Sequence, residues 1–215
     1  MTIQKGTAET RMIIRQYTRI LTPSDFKFFK SELNLMYQII VEVLLHTGFR
    51  IVEFWAFVEH PEWYHRNARV IDLPPEGSAK KKRAEYKERT IRLSVKGCEA
   101  VENLIANLPD RRSRFAPRSA FHRAAVKTIG DTFTSVKNKK TGKMVKRWHV
   151  NPKMFRKTII SWLMECRKEL NVDDVDIASS AGHSTETLRI HYRGVGFEAR
   201  DKFEILELLK GWGGN

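Results

Sequence analysis

Apolar residues at Leu35, Ile39, Ile40, Val43 and Leu44 return every three or four positions, the period of a helix with one buried side, and Gly48 marks its end. Thr22-Pro23-Ser24-Asp25 supplies a hydroxyl cap and an early carboxylate, so another helix starts there. Residues 49–55 continue as an apolar helix with Arg50 in its first turn. Two runs rich in β-branched residues, 68–73 and 89–95, read as strands. Residues 97–108 form a helix stopped by Pro109, and 118–133 form another. Pro152 opens a helix whose apolar side is Ile159, Ile160, Leu163 and Met164. A shorter helix over 172–179 is broken by Gly182, and 200–212 is amphipathic, with Phe203, Leu206 and Leu209 at helical spacing. The pattern thus gives a series of helices and two strands. It contains no internal repeat, no glycine-rich nucleotide loop and no carboxylate cluster for a metal.

Composition adds a partner class. The 215 residues are 41% hydrophobic, enough for one sizeable core, and 39 Lys plus Arg against 25 Asp plus Glu give a formal charge of +14. Such an excess favours a polyanion, nucleic acid first and an anionic membrane surface second. Cys98 and Cys166 stand far apart with no CxxC or Cys/His cluster, which implies neither a disulfide framework nor a zinc site, and a reducing interior. The longest apolar run, 33–45, is interrupted by Gln38 and Glu42 and is too short to span a bilayer. With no signal-peptide core at the N-terminus, the expected setting is cytoplasmic and DNA-associated.

The positive charge is clustered. Lys80-Lys81-Lys82-Arg83 ends the turn region between the two strands, where it is either a solvated loop or a hairpin tip reaching a phosphate. Residues 111–123 hold five arginines around Phe115 and Phe121, a mixture suited to a nucleic-acid face. Residues 136–148 read as a basic loop or irregular hairpin around Thr141-Gly142, with plain surface solubility as the alternative. Arg11, Arg15 and Arg19, four apart, would share one side of a short helix, and residues 1–21 read as a linker or the remnant of a preceding DNA-binding domain.

Three places carry candidate chemistry. Arg50 among apolar neighbours requires an anion, either Glu53 three residues on or a phosphate. Lys153 and Arg156 share the first turns of a helix, where amides and cations together outline a phosphate site. In residues 180–192, His183 precedes Tyr192 by nine positions, and a phenol beside so much positive charge is a candidate nucleophile.

Taken in order, Thr47-Gly48-Phe49-Arg50-Ile51-Val52-Glu53, a hairpin lysine, Lys153-x-x-Arg156, Gly182-His183 and Tyr192 resemble the catalytic domain of the tyrosine recombinases and phage integrases, over roughly residues 22–210. The resemblance implies an α+β, mainly α fold with a small three-stranded antiparallel sheet, and a catalytic domain over 22–215. It makes Arg50 and Arg156 the two catalytic arginines, His183 the later His/Trp position and Tyr192 the nucleophile. Lys153 departs from the usual His-x-x-Arg and looks like the integrases of archaeal viruses and plasmids. For the sheet lysine Lys80, Lys81, Lys82 and Lys87 compete, and Lys82 is chosen by its position before the strand.

The activity so implied is site-specific cleavage and rejoining of DNA through a 3′-phosphotyrosyl link, with no metal, ATP or other cofactor. The partners would be double-stranded attachment sites and further copies of the chain, dimer to tetramer on DNA, with helix 200–212 docking on a neighbour and no membrane. Two guanidiniums suit the charge that grows on the non-bridging oxygens, and a cationic cage is expected to favour phenolate. Lys82 would protonate the departing 5′ oxygen, while His183 and Lys153 shuttle the phenol proton or bind phosphate. Two rivals stay open. A type IB topoisomerase resembles the same residues, and a non-catalytic helix-turn-helix protein would turn at Gly182 and read DNA with Ser184, Thr185 and Arg189.

Overall fold

The computed structural model describes residues 13–15, 17–77, 88–109, 117–130, 133–138, 142–192 and 194–212. Helix α1 (Pro23–Ser31) starts where the Thr22 hydroxyl accepts the Asp25 N–H at 3.1 Å and the Asp25 carboxylate accepts the Thr22 N–H, which satisfies two orphan donors at once. Helix α2 (Leu35–Thr47) is capped by the Asn34 side chain and ends at Gly48, whose φ of 62° lies in the left-handed region. The Thr47 hydroxyl donates to the Val43 carbonyl and accepts the Phe49 N–H, fixing the turn into α3 (Ile51–Glu59). That turn swings the chain through 107° and leaves Arg50 at the N-cap of α3.

Strands β3 (Tyr64–His65), β4 (Val70–Leu73) and β5 (Arg89–Arg92) form the expected three-stranded antiparallel sheet, in the order β3-β4-β5. Ile71 pairs with Ile91, and both are buried. Helices α4 (Val95–Ala106) and α5 (Pro117–Thr128) follow, then a two-stranded ribbon of β6 (Phe133–Lys137) and β7 (Met144–Trp148). The ribbon is regular where the sequence suggests a loop or irregular hairpin. Helix α6 (Lys153–Glu165) runs through the core, with Met154, Phe155, Ile159, Trp162 and Leu163 buried. Helices α7 (Asp174–Ala181), α8 (Thr185–Tyr192) and α9 (Ala199–Leu209) complete the fold.

Several expectations need correction. Arg15 and Arg19 do not line a helix, and Arg11 lies outside the described residues. Residues Ile13–Arg15 and Thr18–Ile20 form a hairpin, β1 and β2, held to α6 by the Trp162 indole donating to the Leu21 carbonyl and by the Leu21 N–H donating to the Thr158 hydroxyl, each at 3.0 Å. Arg19, 1% exposed, is inside: it donates to the Ile129 carbonyl at 2.5 Å and the Gly130 carbonyl at 3.0 Å, and pairs with Asp25 at 3.3 Å. Phe121 does not face a partner, since its ring packs in the core against Phe29 and Phe155 at centroid distances of 5.7 and 5.5 Å. In α9 the core side is Ile205 and Leu209, while Phe203 is 67% exposed.

Candidate active site

The site grows from the ends of two helices. At the C-terminus of α2 the Gly48 carbonyl has no intrahelical partner, and the same is true of Ala181 at the end of α7, which Gly182 stops with a φ of 58°. Arg156, on the second turn of α6, donates to both: Nη1 to the Gly48 carbonyl at 2.7 Å and Nη2 to the Ala181 carbonyl. A buried guanidinium thus ties three helices together through orphan acceptors that carry the negative ends of two helix dipoles.

A second layer centres on Glu53, which is fully buried. Its carboxylate accepts the Arg50 N–H at 2.9 Å, the Arg50 Nη1 at 2.6 Å and the Arg89 Nη2 at 3.0 Å. Burial alone would raise its pKa, but Arg89, Arg156 and Arg50 outweigh it and hold the group at about 2. Arg50 therefore has the salt bridge that its bland reading called for. That bridge does not exhaust the local charge, because three arginines share one carboxylate.

Arg89 is the residue that sequence reasoning missed. It lies on the face of β5 that carries buried Ile91, is 10% exposed, and reaches both Glu53 and the Ala181 carbonyl, the latter at 3.3 Å. Period-two alternation along 89–92 was the available signal. A methyl group added at Gly182 would meet the Arg89 Cδ at 2.9 Å, so the glycine serves the left-handed turn and also the close approach of this side chain.

Tyr192 ends α8 and is 6% exposed. Its phenol ring stands edge-on to the His183 imidazole, with centroids 5.9 Å apart. Burial raises the phenol pKa, while Arg156 and Arg50 pull the other way without prevailing. This reverses the expectation that the cationic cage favours phenolate: loss of hydration at the hydroxyl is larger than the attraction of the guanidiniums. Arg156 in turn has its pKa lowered, first by burial and then by Arg50 and Arg89, yet it stays charged at neutral pH.

Arg50, Arg156, His183 and Tyr192 are thus gathered around Glu53 and Arg89. Lys153 is not joined to them by any contact of its side chain: it is exposed at the start of α6, with its N–H donating to the Asn151 side chain at 3.1 Å. Its charge acts on Lys157, whose pKa falls to about 8 through burial, Arg15 and Lys153. Lys82, with Lys80, Lys81 and Lys87, lies outside the described residues. Beyond the tyrosine, the Arg15 guanidinium donates to the Gly194 carbonyl at 2.8 Å, so the N-terminal hairpin reaches the segment that follows the phenol.

This arrangement of helices around a small sheet is found in solved proteins. A crystal structure of XerA recombinase superposes with a TM-score of 0.51 and 16% identity, covering 95% of this chain and 66% of that one. The fold is that of a tyrosine-recombinase catalytic domain. The Tn1549 transposon integrase, solved in complex with transposon right-end DNA, also has a TM-score of 0.51 and 16% identity, over 87% of this chain and 65% of that one. The chain spans about two thirds of the length of both. No protein-family model and no curated protein matches the sequence.

Proposed function

We propose that this chain is the strand-transfer unit of a site-specific DNA recombinase or integrase, with Tyr192 as nucleophile. The observation that carries the reading is the charge imbalance beside the phenol: Arg50, Arg89 and Arg156 face one carboxylate, Glu53. Buried surplus charge is costly unless an anion completes it. A phosphodiester brings one negative charge and the pentavalent transition state a second, so the site is better matched to the transition state than to the ground state.

In this reading Arg50 and Arg156 hold the non-bridging oxygens, and Arg89 fixes Glu53 and the Gly182 turn. The Tyr192 oxygen attacks phosphorus, the phosphorus–5′ oxygen bond breaks, and the bond energy is kept in a 3′-phosphotyrosyl link. Because burial keeps the phenol protonated, attack needs a base, and His183 beside the ring takes that role. Lys82 supplies the proton to the 5′ oxygen, and Lys153 binds a flanking phosphate. The Lys-x-x-Arg pattern supports an origin with archaeal viruses or plasmids, and assembly as a dimer to tetramer on attachment sites uses exposed Phe203 on α9. The setting is cytoplasmic.

The helix-turn-helix alternative has less support. Helices α7 and α8 do turn at Gly182, but the Ser184 hydroxyl accepts the Thr187 N–H at 3.2 Å and Arg189 pairs with Asp174 at 3.0 Å, so two of its three reading residues are engaged within the chain. The test is a nicked duplex whose cleaved fragment diffuses away. Wild type should form an SDS-resistant protein–DNA adduct insensitive to EDTA, and Tyr192→Phe should form none. Equal adduct in both proteins would end the assignment, as would no adduct across a library of sites.

A further inference from the structure

The ribbon β6–β7 has no part in the chemistry above. Cross-strand pairing sets Phe133 against Trp148, Ser135 against Lys146 and Lys137 against Met144, so these six side chains share one face. Thr134, Val136, Val145 and Arg147 share the other. That second face leans on the body of the protein: the Thr134 hydroxyl is 2.9 Å from the His149 imidazole, and the Arg147 guanidinium lies over the Tyr17 ring at 5.5 Å. The first face is anchored at one end, where the Trp148 ring stands edge-on to His122 of α5 at 4.7 Å, and is otherwise open, with Met144 64%, Trp148 41% and Phe133 40% exposed. Lys146 sits over the Phe133 ring at 4.4 Å.

An exposed apolar face on a soluble domain marks a partner, and its charge says which. Residues 133–148 contain Lys137, Lys139, Lys140, Lys143, Lys146 and Arg147 and not one carboxylate. A second copy of this basic chain would meet it with like charge, whereas duplex DNA meets it with phosphates. A two-stranded antiparallel ribbon also has the width that the major groove admits. The ribbon runs through His149 to Asn151 into the first turn of α6, the helix that carries Arg156. Five residues of strand extend about 16 Å, the length of roughly five base pairs.

We propose that the Phe133/Lys137/Met144/Lys146/Trp148 face of this ribbon is a DNA-binding arm that lies in a groove of the duplex flanking the bond to be cut. This rests on the recombinase reading for its location but not for its ligand. Lys137 and Lys146 neutralise phosphates at the groove edges, and Met144 and the aromatic rings fill the space between them. The arm lengthens the footprint on one side of the cleaved phosphate without adding to the cleavage chemistry.

The test is the salt dependence of binding to a 30-base-pair duplex of arbitrary sequence. Loss of two phosphate contacts in Lys137→Ala/Lys146→Ala should lower the slope of log K against log salt by about 1.8. The control Lys27→Ala/Lys96→Ala, on α1 and α4, should leave it unchanged. A photo-reactive amino acid at position 144 should cross-link to the duplex. An unchanged slope in the ribbon variant, or a cross-link to a second copy of the chain in place of DNA, overturns the proposal. The nicked-duplex adduct is read in the same proteins: a ribbon-dependent slope without adduct removes the strand-transfer reading alone, and adduct with an unchanged slope removes the arm alone.

Discussion

Arg19 and Arg156 are the most deeply buried arginines among the described residues, and their surroundings differ in one respect. Arg19 meets Asp25 and two carbonyls, a matched set that closes the N-terminal hairpin onto α1 and the end of α5. Arg156 also meets two carbonyls, but its charged neighbours are Arg50 and Arg89 with only Glu53 to balance all three. A matched buried charge holds a fold together, whereas an unmatched one is tolerated where something charged is to be bound. The rest of the site follows that contrast, with Tyr192 beside the unmatched cluster and far in sequence from the matched one.

The contrast breaks most visibly at Arg19. Arg19→Ala strands the Asp25 carboxylate, and denaturant melts should show about 3–5 kcal/mol lost, with adduct formation per folded molecule within a few fold of wild type. Arg50→Ala should do the reverse. Because Arg50 is partly exposed and Glu53 keeps Arg89, stability should change by no more than about 1 kcal/mol, while single-turnover cleavage falls by about 10²–10³.

A third test concerns a buried group with no charge partner in contact. Burial drives the His46 pKa from 6.5 to about 4, with Glu42 and Glu99 opposing, and its Nδ1 has no hydrogen-bond partner. The unfolded chain takes up this proton below pH 6.5 and the folded chain does not until about pH 4. Stability present above pH 6.5 should therefore drain away as pH falls through that window, by about 3 kcal/mol in all. His46→Leu should flatten the slope between those limits. Glu53 adds a separate acid-side loss, between its ordinary pKa of 4.5 and its folded value of about 2. The smallest effect is at the turn: Gly182→Ala places a methyl in left-handed backbone against Arg89 and should cost about 1–2 kcal/mol, seen in a thermal melt, together with slower cleavage.

Much of this was legible in the chain. The helix stops at Gly48 and Gly182 are local, since a glycine's freedom at positive φ needs no tertiary information, and they bracket Arg50 and His183 correctly. Arg156 was legible from its place, with Lys153, in the first turns of the helix that Pro152 opens. What escaped depends on distant partners. The spacing of Arg15 and Arg19 suits a helix, but the acceptors that bury Arg19 at Ile129 and Gly130 lie about 110 residues away and select a hairpin. Phe121 looks like a nucleic-acid contact among arginines until Phe29 and Phe155 close around it. The direction of the Tyr192 pKa escaped for a related reason: neighbouring charges can be counted in a sequence, and burial cannot.

The central claim is that the unmatched arginine cluster presents a phosphate to one phenol. Trapping the covalent complex on a nicked duplex, digesting both components and sequencing the modified peptide by mass spectrometry tests it most directly. The nucleotide should be on Tyr192, and Arg50→Ala should reduce its yield without moving it. A nucleotide on any other residue, or the same yield without Arg50, would contradict the account.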